Sequence, residues 1–258
     1  MAGIKLKSEA DLKLMRPACL IAAQVLDDIL AYIRPGLTTR QVDEFAADQI
    51  KGYGAKSAFL GYRKYPCHTC LSVNEEVVHG MASERELRFG DIISVDVGVI
   101  HKGFIGDNAR TMAVGGCGLP AQRLMEVTEA SLYKGIAAAS AGNCVTDISR
   151  AIQEYVESNG FSLVREFVGH GVGRSMHEEP QVPNFVDPKS NDRLVPGMTI
   201  AIEPMVNAGR AGIKILKDGW TVVTQDGSLS AHFEHTVLVT DGQPEILTCV
   251  TPSKLKAG

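Results

Sequence analysis

The sequence has no apolar run long enough to span a bilayer. Its opening, "MAGIKLKSEADLKLMRP", meets charged residues too often for a signal peptide or membrane anchor, so a cytoplasmic protein with no membrane partner is expected. A basic surplus is missing as well. Lys and Arg number 26 against 30 Asp and Glu, a formal net charge of -4, which argues against dedicated nucleic-acid binding. The lysines near the two ends (Lys5, Lys7, Lys13, Lys254, Lys256) read as solvated termini rather than a docking patch. No low-complexity linker divides the chain. Its six cysteines (19, 67, 70, 117, 144, 249) are too scattered for a disulfide framework and read as reduced thiols. Aromatic residues make up only 6%, with a single tryptophan, Trp220.

What remains is ordinary globular material: 258 residues, 45% hydrophobic and 22% charged, enough for a large core. One large domain or two fused halves is the expectation. Leu14, Ala18, Ile21, Val25 and Ile29 recur at helical spacing behind a Ser8/Asp11 capping box, predicting a helix to Ile33 with a kink at Pro17. Pro35-Gly36 ends it, and Thr38 with Gln41 starts a second helix to about Gly52. The stretch "GLTTRQVDEFAADQIKGYGA" (36–55) then returns as "GNCVTDISRAIQEYVESNGF" (142–161), with Gly36 on Gly142, Val42 on Ile148, Ile50 on Val156 and Gly54 on Gly160. At nearly the same interval "GDIISVDV" (90–97) lies over "GMTIAIEP" (197–204), setting Asp96 on Glu203. Two matches in register point to an internal duplication.

The strand-like segments collect the chemistry. "IISVDVGVI" (92–100) and "GFIGDNARTMAV" (103–114) form a hairpin that places Asp96 and Asp107 opposite each other, or within one residue of it. Facing like charges destabilise a sheet unless a cation neutralises them. Glu203 in the strand-like "MTIAIEPMV" (198–206) and Glu234 in "AHFEHTVLVT" (231–240) are further acids where burial is expected. His170, behind the strand-like "FSLVREFV" and between Gly169 and Gly171, adds one nitrogen. Four carboxylates and one imidazole favour Mn, Fe or Co, with Zn admissible, over a structural thiolate zinc site. "PCHTC" and "HFE" stand in the wrong order for a zinc deaminase, and Cys67 with Cys70 lacks a second ligand pair. "HEEPQ" is not H-E-x-x-H, and no helical pattern follows "GHGVG" as a dinucleotide loop would require.

Asp96, Asp107, His170, Glu203 and Glu234, in this order, resemble the metal ligands of the type I, bacterial-like methionine aminopeptidases. The similarity runs through "GDIISVDVGVIHKGFIGDNAR", "GHGVGRSMHEEPQVPNF", "TIAIEPMVNAG" and "KDGWTVVTQDGSLSAHFEHTVLVT". It implies the pita-bread fold, an α/β (α+β) arrangement of pseudo-two-fold halves, each with a helix pair and antiparallel strands, around a dinuclear site. The expected organisation is a single catalytic domain, 1–258, with halves at about 8–115 and 119–250. It also implies two divalent ions, one held by Asp107, His170, Glu203 and Glu234 and the other by Asp96, Asp107 and Glu234. Glu203 becomes the general base and proton donor, His177 a donor to the scissile carbonyl oxygen, and His79 a contact near the leaving nitrogen. "EEP", behind His177, shapes the loop that carries it. Phe59, Tyr62, Tyr65, Cys70, Met176 and Trp220 fall at the positions of the methionine pocket. The implied activity is removal of the initiator Met from nascent polypeptides when the second residue is small, by a monomer for which a transient ribosome contact is admissible. Xaa-Pro peptidases share the metal pattern but usually carry an extra N-terminal domain, and non-catalytic relatives typically lose ligands that are all present here.

Overall fold

The computed structural model describes residues 3–250; Met1, Ala2 and residues 251–258, with Lys254 and Lys256, lie outside it. Among the described residues the four α-helices are α1 (Glu9–Tyr32), α2 (Thr39–Gly52), α3 (Leu119–Ala138) and α4 (Val145–Ser158). The strands of the first half are β1 (Lys56–Ser57), β2 (Cys70–Val73), β3 (Glu76–Val78), β4 (Ile92–His101) and β5 (Phe104–Ala113). Those of the second are β6 (Ser162–Leu163), β7 (Gly169–Gly171), β8 (Glu178–Val182), β9 (Thr199–Ile202), β10 (Met205–Asn207), β11 (Ile213–Ile215), β12 (Val222–Thr224), β13 (Ser230–His232), β14 (Glu234–Leu238) and β15 (Glu245–Ile246).

Both expected capping boxes form: Ser8 and Asp11 satisfy each other's backbone N–H groups at the start of α1, and Thr38 and Gln41 do so at α2. α1 runs unbroken through Pro17. Its buried face is rotated from the expected stripe: Leu14 is exposed, while Leu12, Met15, Cys19, Ala22 and Leu26 join Ala18, Val25 and Ile29 inside. The cause is the neighbour. Gly106 of β5 comes so close that a Cβ there would stand 2.5 Å from the Cys19 Cα and 2.6 Å from the Ala18 carbonyl oxygen. A helix seated that deeply turns small residues, not Leu14, toward the sheet. Gly106→Ala is therefore expected to destabilise the fold by ~2–3 kcal/mol, seen as a melting temperature lower by roughly 6–10 °C.

The duplication is visible in three dimensions. α2 and α4 occupy matching positions, their preceding glycines Gly36 and Gly142 have φ of 91° and 94°, and the paired Val42/Ile148 and Ile50/Val156 are all buried. The isolated bridges Thr38–Glu86 and Cys144–Arg193 repeat the tie in front of each helix. One apolar cluster packs α1 and α2 on β4; another packs α3 and α4 on β9 and β14. The halves share one sheet in the order β1-β4-β5-β14-β9-β7-β8, with β2 on β4 and β15 on β14, and the seam lies at β5–β14. Two three-stranded sheets, β13-β10-β6 and β11-β12-β3, flank it.

Strand alternation then assigns the two faces. Ile93, Val95, Val97 and Val99 of β4 join the helix-side cluster, which leaves Asp96 and Gly98 on the opposite face. Two expected strands are shorter than the apolar runs suggested. In 161–168 only β6 is extended, and "MTIAIEPMV" divides at Glu203-Pro204 into β9 and β10, which lie in different sheets. Pro204 has no N–H to continue the ladder, so Glu203 sits at the break rather than within a strand.

Candidate metal centre

Two neighbouring rows of side chains cross the open face of the large sheet. In the first, Cys70 lies opposite Asp96, Asp96 opposite Ala109, and Ala109 opposite Glu234. In the second, Gly98 lies opposite Asp107, whose backbone N–H and carbonyl bond the Thr236 hydroxyl; Thr236 lies opposite Ala201, and Ala201 opposite His170. Small residues thus separate the ligand-type residues and leave room between them.

Asp96 and Asp107 are diagonal neighbours two residues out of register, not opposed as expected. The hairpin turns on Lys102 and Gly103 alone (φ 48° and 77°), and His101 pairs with Phe104, which fixes Asp96 opposite Ala109. The diagonal relieves direct contact while both carboxylates line the same cavity.

Asp107 and Glu234 are buried, Asp96 and Glu203 nearly so, and the cluster is incompletely satisfied. Asp96 Oδ1, Asp107 Oδ1 and Glu234 Oε1 have no hydrogen-bond partner. Burial pushes the Asp96 carboxyl up to about 7, and Glu203 up to about 8. Burial, then the neighbouring carboxylates, drives Asp107 and Glu234 well above the usual range. His170 settles what belongs here. Its Nδ1 lies 2.9 Å from the Gly171 carbonyl, which can only accept, so Nδ1 carries the proton and Nε2 presents a lone pair. Burial, then His177, depresses this imidazole to about 3. A neutral ring therefore aims a lone pair at Glu203 Oε1 (3.4 Å) and Asp107 Oδ2 (3.8 Å). Lone pair against carboxylate is repulsive unless a proton or a cation lies between, and a cation also satisfies the other acids. Ligand atoms of Asp107, His170 and Glu234 come within 4.8 Å of one another, so these residues fit a divalent ion.

A cavity of about 200 Å³ opens over the acids. It brings together every site residue expected from the sequence: Asp96, Asp107, His170, Glu203 and Glu234 with His79, His177, Phe59, Tyr62, Tyr65, Cys70, Met176 and Trp220. Phe59 lies on Gly98, where a Cβ would stand 2.5 Å from its ring. Tyr65 is fixed by donating its hydroxyl to the Thr69 and Gly80 carbonyls and meets Trp220 edge-on at 5.1 Å. His79, pushed down to about 4 by burial and then by His232 and His177, packs edge-on against Phe167. His177 is held below its ordinary value by burial, then by Arg63, with its ring 4.3 Å from that of His170. Its Nδ1 lies 2.7 Å from the Tyr62 hydroxyl, so Tyr62 orients a histidine as well as lining the cavity.

One histidine here escaped sequence reasoning. His232 is buried, its Nε2 has no hydrogen-bond partner, and that atom lies 3.6 Å from Glu203 Oε2. The only signal was its place two residues before Glu234; His232 ends β13 where Glu234 begins β14. Phe167, Val78, Val168 and Met205 also line the cavity unannounced.

The profile of metallopeptidase family M24 matches residues 13–241. A methionine aminopeptidase of Clostridium perfringens is 49% identical over 247 residues, 96% of this chain and 99% of that protein. The crystal structure of methionine aminopeptidase from Rickettsia prowazekii superposes with a TM-score of 0.93 at 39% identity, covering 95% of this chain and all of that one. A prolidase from Pyrococcus furiosus shares the fold (TM-score 0.78, 21% identity), but this chain spans only 66% of it. The shared architecture is the pita-bread fold. The chain belongs to metallopeptidase family M24 and, within it, to the methionine aminopeptidases.

Proposed function

We propose that the protein removes the N-terminal methionine of polypeptides whose second residue is small. The observation that carries the reading is a neutral His170 facing buried, unsatisfied carboxylates at the floor of a cavity walled by aromatic rings and a thioether. Divalent ions belong to the family. Here Asp107, His170, Glu203 and Glu234 would hold one ion, and Asp96, Asp107 and Glu234 a second, with Mn, Fe or Co favoured and Zn admissible. When bound, they supply Lewis acidity toward the scissile carbonyl and the attacking water.

The side chains supply the remainder. Phe59, Tyr62, Tyr65, Cys70, Met176 and Trp220 surround the methionine side chain and exclude water. Glu203, deprotonated once a cation neutralises the acid cluster, takes a proton from the attacking water and delivers it to the departing amine. With the Tyr62 hydroxyl, 2.7 Å from His177 Nδ1, as the donor of that bond, the N–H on Nε2 is free to stabilise charge growing on the carbonyl oxygen. His79 contacts the substrate near the leaving nitrogen. The reading also takes residues 1–258 as one catalytic domain with halves at about 8–115 and 119–250, working as a cytoplasmic monomer on nascent chains in transient contact with the ribosome.

Incubation of the metal-loaded protein with Met-Ala-Ser and with an Xaa-Pro peptide tests it. Free methionine from the first and no cleavage of the second is the expected result. Cleavage of the Xaa-Pro bond without methionine release defeats the reading.

A further inference from the structure

Lys7, expected to be a solvated terminal lysine, is buried. Its side chain is 6% exposed, and Nζ lies 2.8 Å from Oε2 of Glu178, itself 2% exposed. The other Glu178 oxygen accepts the backbone N–H groups of Arg174 (3.1 Å) and Ser175 (3.2 Å). One carboxylate therefore closes the loop between β7 and β8 and ties it to the N-terminal segment. That loop carries Met176 and His177.

Further contacts make the segment a strap. The Lys7 stem lies directly on Gly173, where a Cβ would stand 2.6 Å from Lys7 Cε. The Lys7 N–H bonds the Gly197 carbonyl at 2.8 Å, and Ile4 bridges Glu179. A second tether joins Arg174 to Asp11 at 3.1 Å, with the guanidinium 4.1 Å above the Phe104 ring. A buried charge deprived of its partner is costly, so the ion pair resists displacement of the loop.

We propose that Lys7 is a positioning residue for the reaction, holding the β7–β8 loop through Glu178 so that His177 keeps its place against Tyr62 and His170. This rests on the assignment of His177 as the donor to the scissile carbonyl. A shift of about 1 Å in such a donor can slow catalysis on the order of a hundredfold.

The test is a double-mutant cycle on the metal-loaded protein with Met-Ala-Ser. Lys7→Met keeps the unbranched stem over Gly173 and removes the charge. Its kcat is expected to fall ~10–100-fold with KM within about threefold of the parent, and Lys7→Arg to recover most of the loss. Added to His177→Ala, Lys7→Met should cost less than about twofold more, because its effect passes through the missing ring. Losses that multiply, or a Lys7→Met protein with the parent's kcat beside a slow His177→Ala, overturn the proposal alone. A His177→Ala protein as fast as the parent overturns the underlying assignment and the proposal with it. Trp220 fluorescence reports folding; if Lys7→Met does not fold, Glu178→Gln, which still accepts from the loop N–H groups, takes its place in the cycle.

Discussion

Stripping divalent ions from the protein with a chelator is expected to abolish methionine release and to make the fold lose stability as pH rises from about 6.5 to 8. Without an ion the acid cluster keeps protons that an unfolded chain would release: Asp96 titrates at about 7 and Glu203 at about 8, with Asp107 and Glu234 well above their ordinary range. A folded state that binds more protons than the unfolded one is weakened as pH rises. Below about 6.5 the buried histidines act in the opposite sense. His170 at about 3, and His79 and His235 at about 4, stay neutral where the unfolded chain would charge them, and this favours folding more as pH climbs toward 6.5. The two trends offset one another from about pH 4.5 to 6.5 and part above it, as the unfolded histidines lose their remaining protons and the carboxylates come to dominate. Each retained proton is worth about 1.4 kcal/mol per pH unit, so two of them give ~4 kcal/mol across the window and lower the melting temperature by roughly 10 °C. Restoring a divalent ion should bring back activity and flatten the slope, because bound metal requires the deprotonated acids. Melting curves of chelated and reloaded protein at pH 6.5 and 8 read this directly. A chelated protein that is equally stable at both, or still active, contradicts a metal centre at these residues.

The legible parts of this molecule were those written in local pattern. Ser8/Asp11 and Thr38/Gln41 are capping boxes within one turn of chain, and they formed as read. The matched pairs Val42/Ile148 and Ile50/Val156 report the same buried helix position twice, and the structure repeats it. The acids stood out because each interrupts or abuts an apolar strand, where an unpaired carboxylate is expensive. Less legible was whatever depended on a partner distant in sequence. Alternation says which residues share a face, but the register of Asp96 with Ala109 was set by a two-residue turn at Lys102-Gly103. The apolar run through Glu203 concealed a break that only Pro204 hinted at. α1 turned by a fraction of a turn because Gly106, nearly ninety residues away, admits its backbone. His232 and Lys7 each looked unremarkable locally; their roles come from Glu203 and Glu178, which folding brings to them.

Glu203→Gln should reduce kcat on Met-Ala-Ser by about a thousandfold or more while the backbone of the site stays in place. Glutamine preserves the length of the side chain and an acceptor oxygen but cannot carry a proton between the attacking water and the leaving amine, a contribution of roughly 10²–10⁴ in rate. The backbone at this position is independently anchored: the Asn184 side-chain amide donates to the Glu203 carbonyl at 3.0 Å, and β9 and β10 hold the chain on either side. His170 Nε2 at 3.4 Å and His232 Nε2 at 3.6 Å face the two carboxylate oxygens, so the amide would meet two nitrogens where the acid now stands. Because Glu203 is also a proposed ligand, metal content by elemental analysis must accompany the kinetics. Retained metal and a KM within about tenfold, beside the collapsed kcat, assign the loss to proton transfer. A loss matched by missing metal assigns Glu203 to ion binding instead, and a variant keeping more than about a tenth of the parent's kcat removes it from both roles. The first outcome is expected because Asp107, His170 and Glu234 already bring three ligand atoms within 4.8 Å of one another without Glu203, leaving its proton as the group the reaction cannot replace.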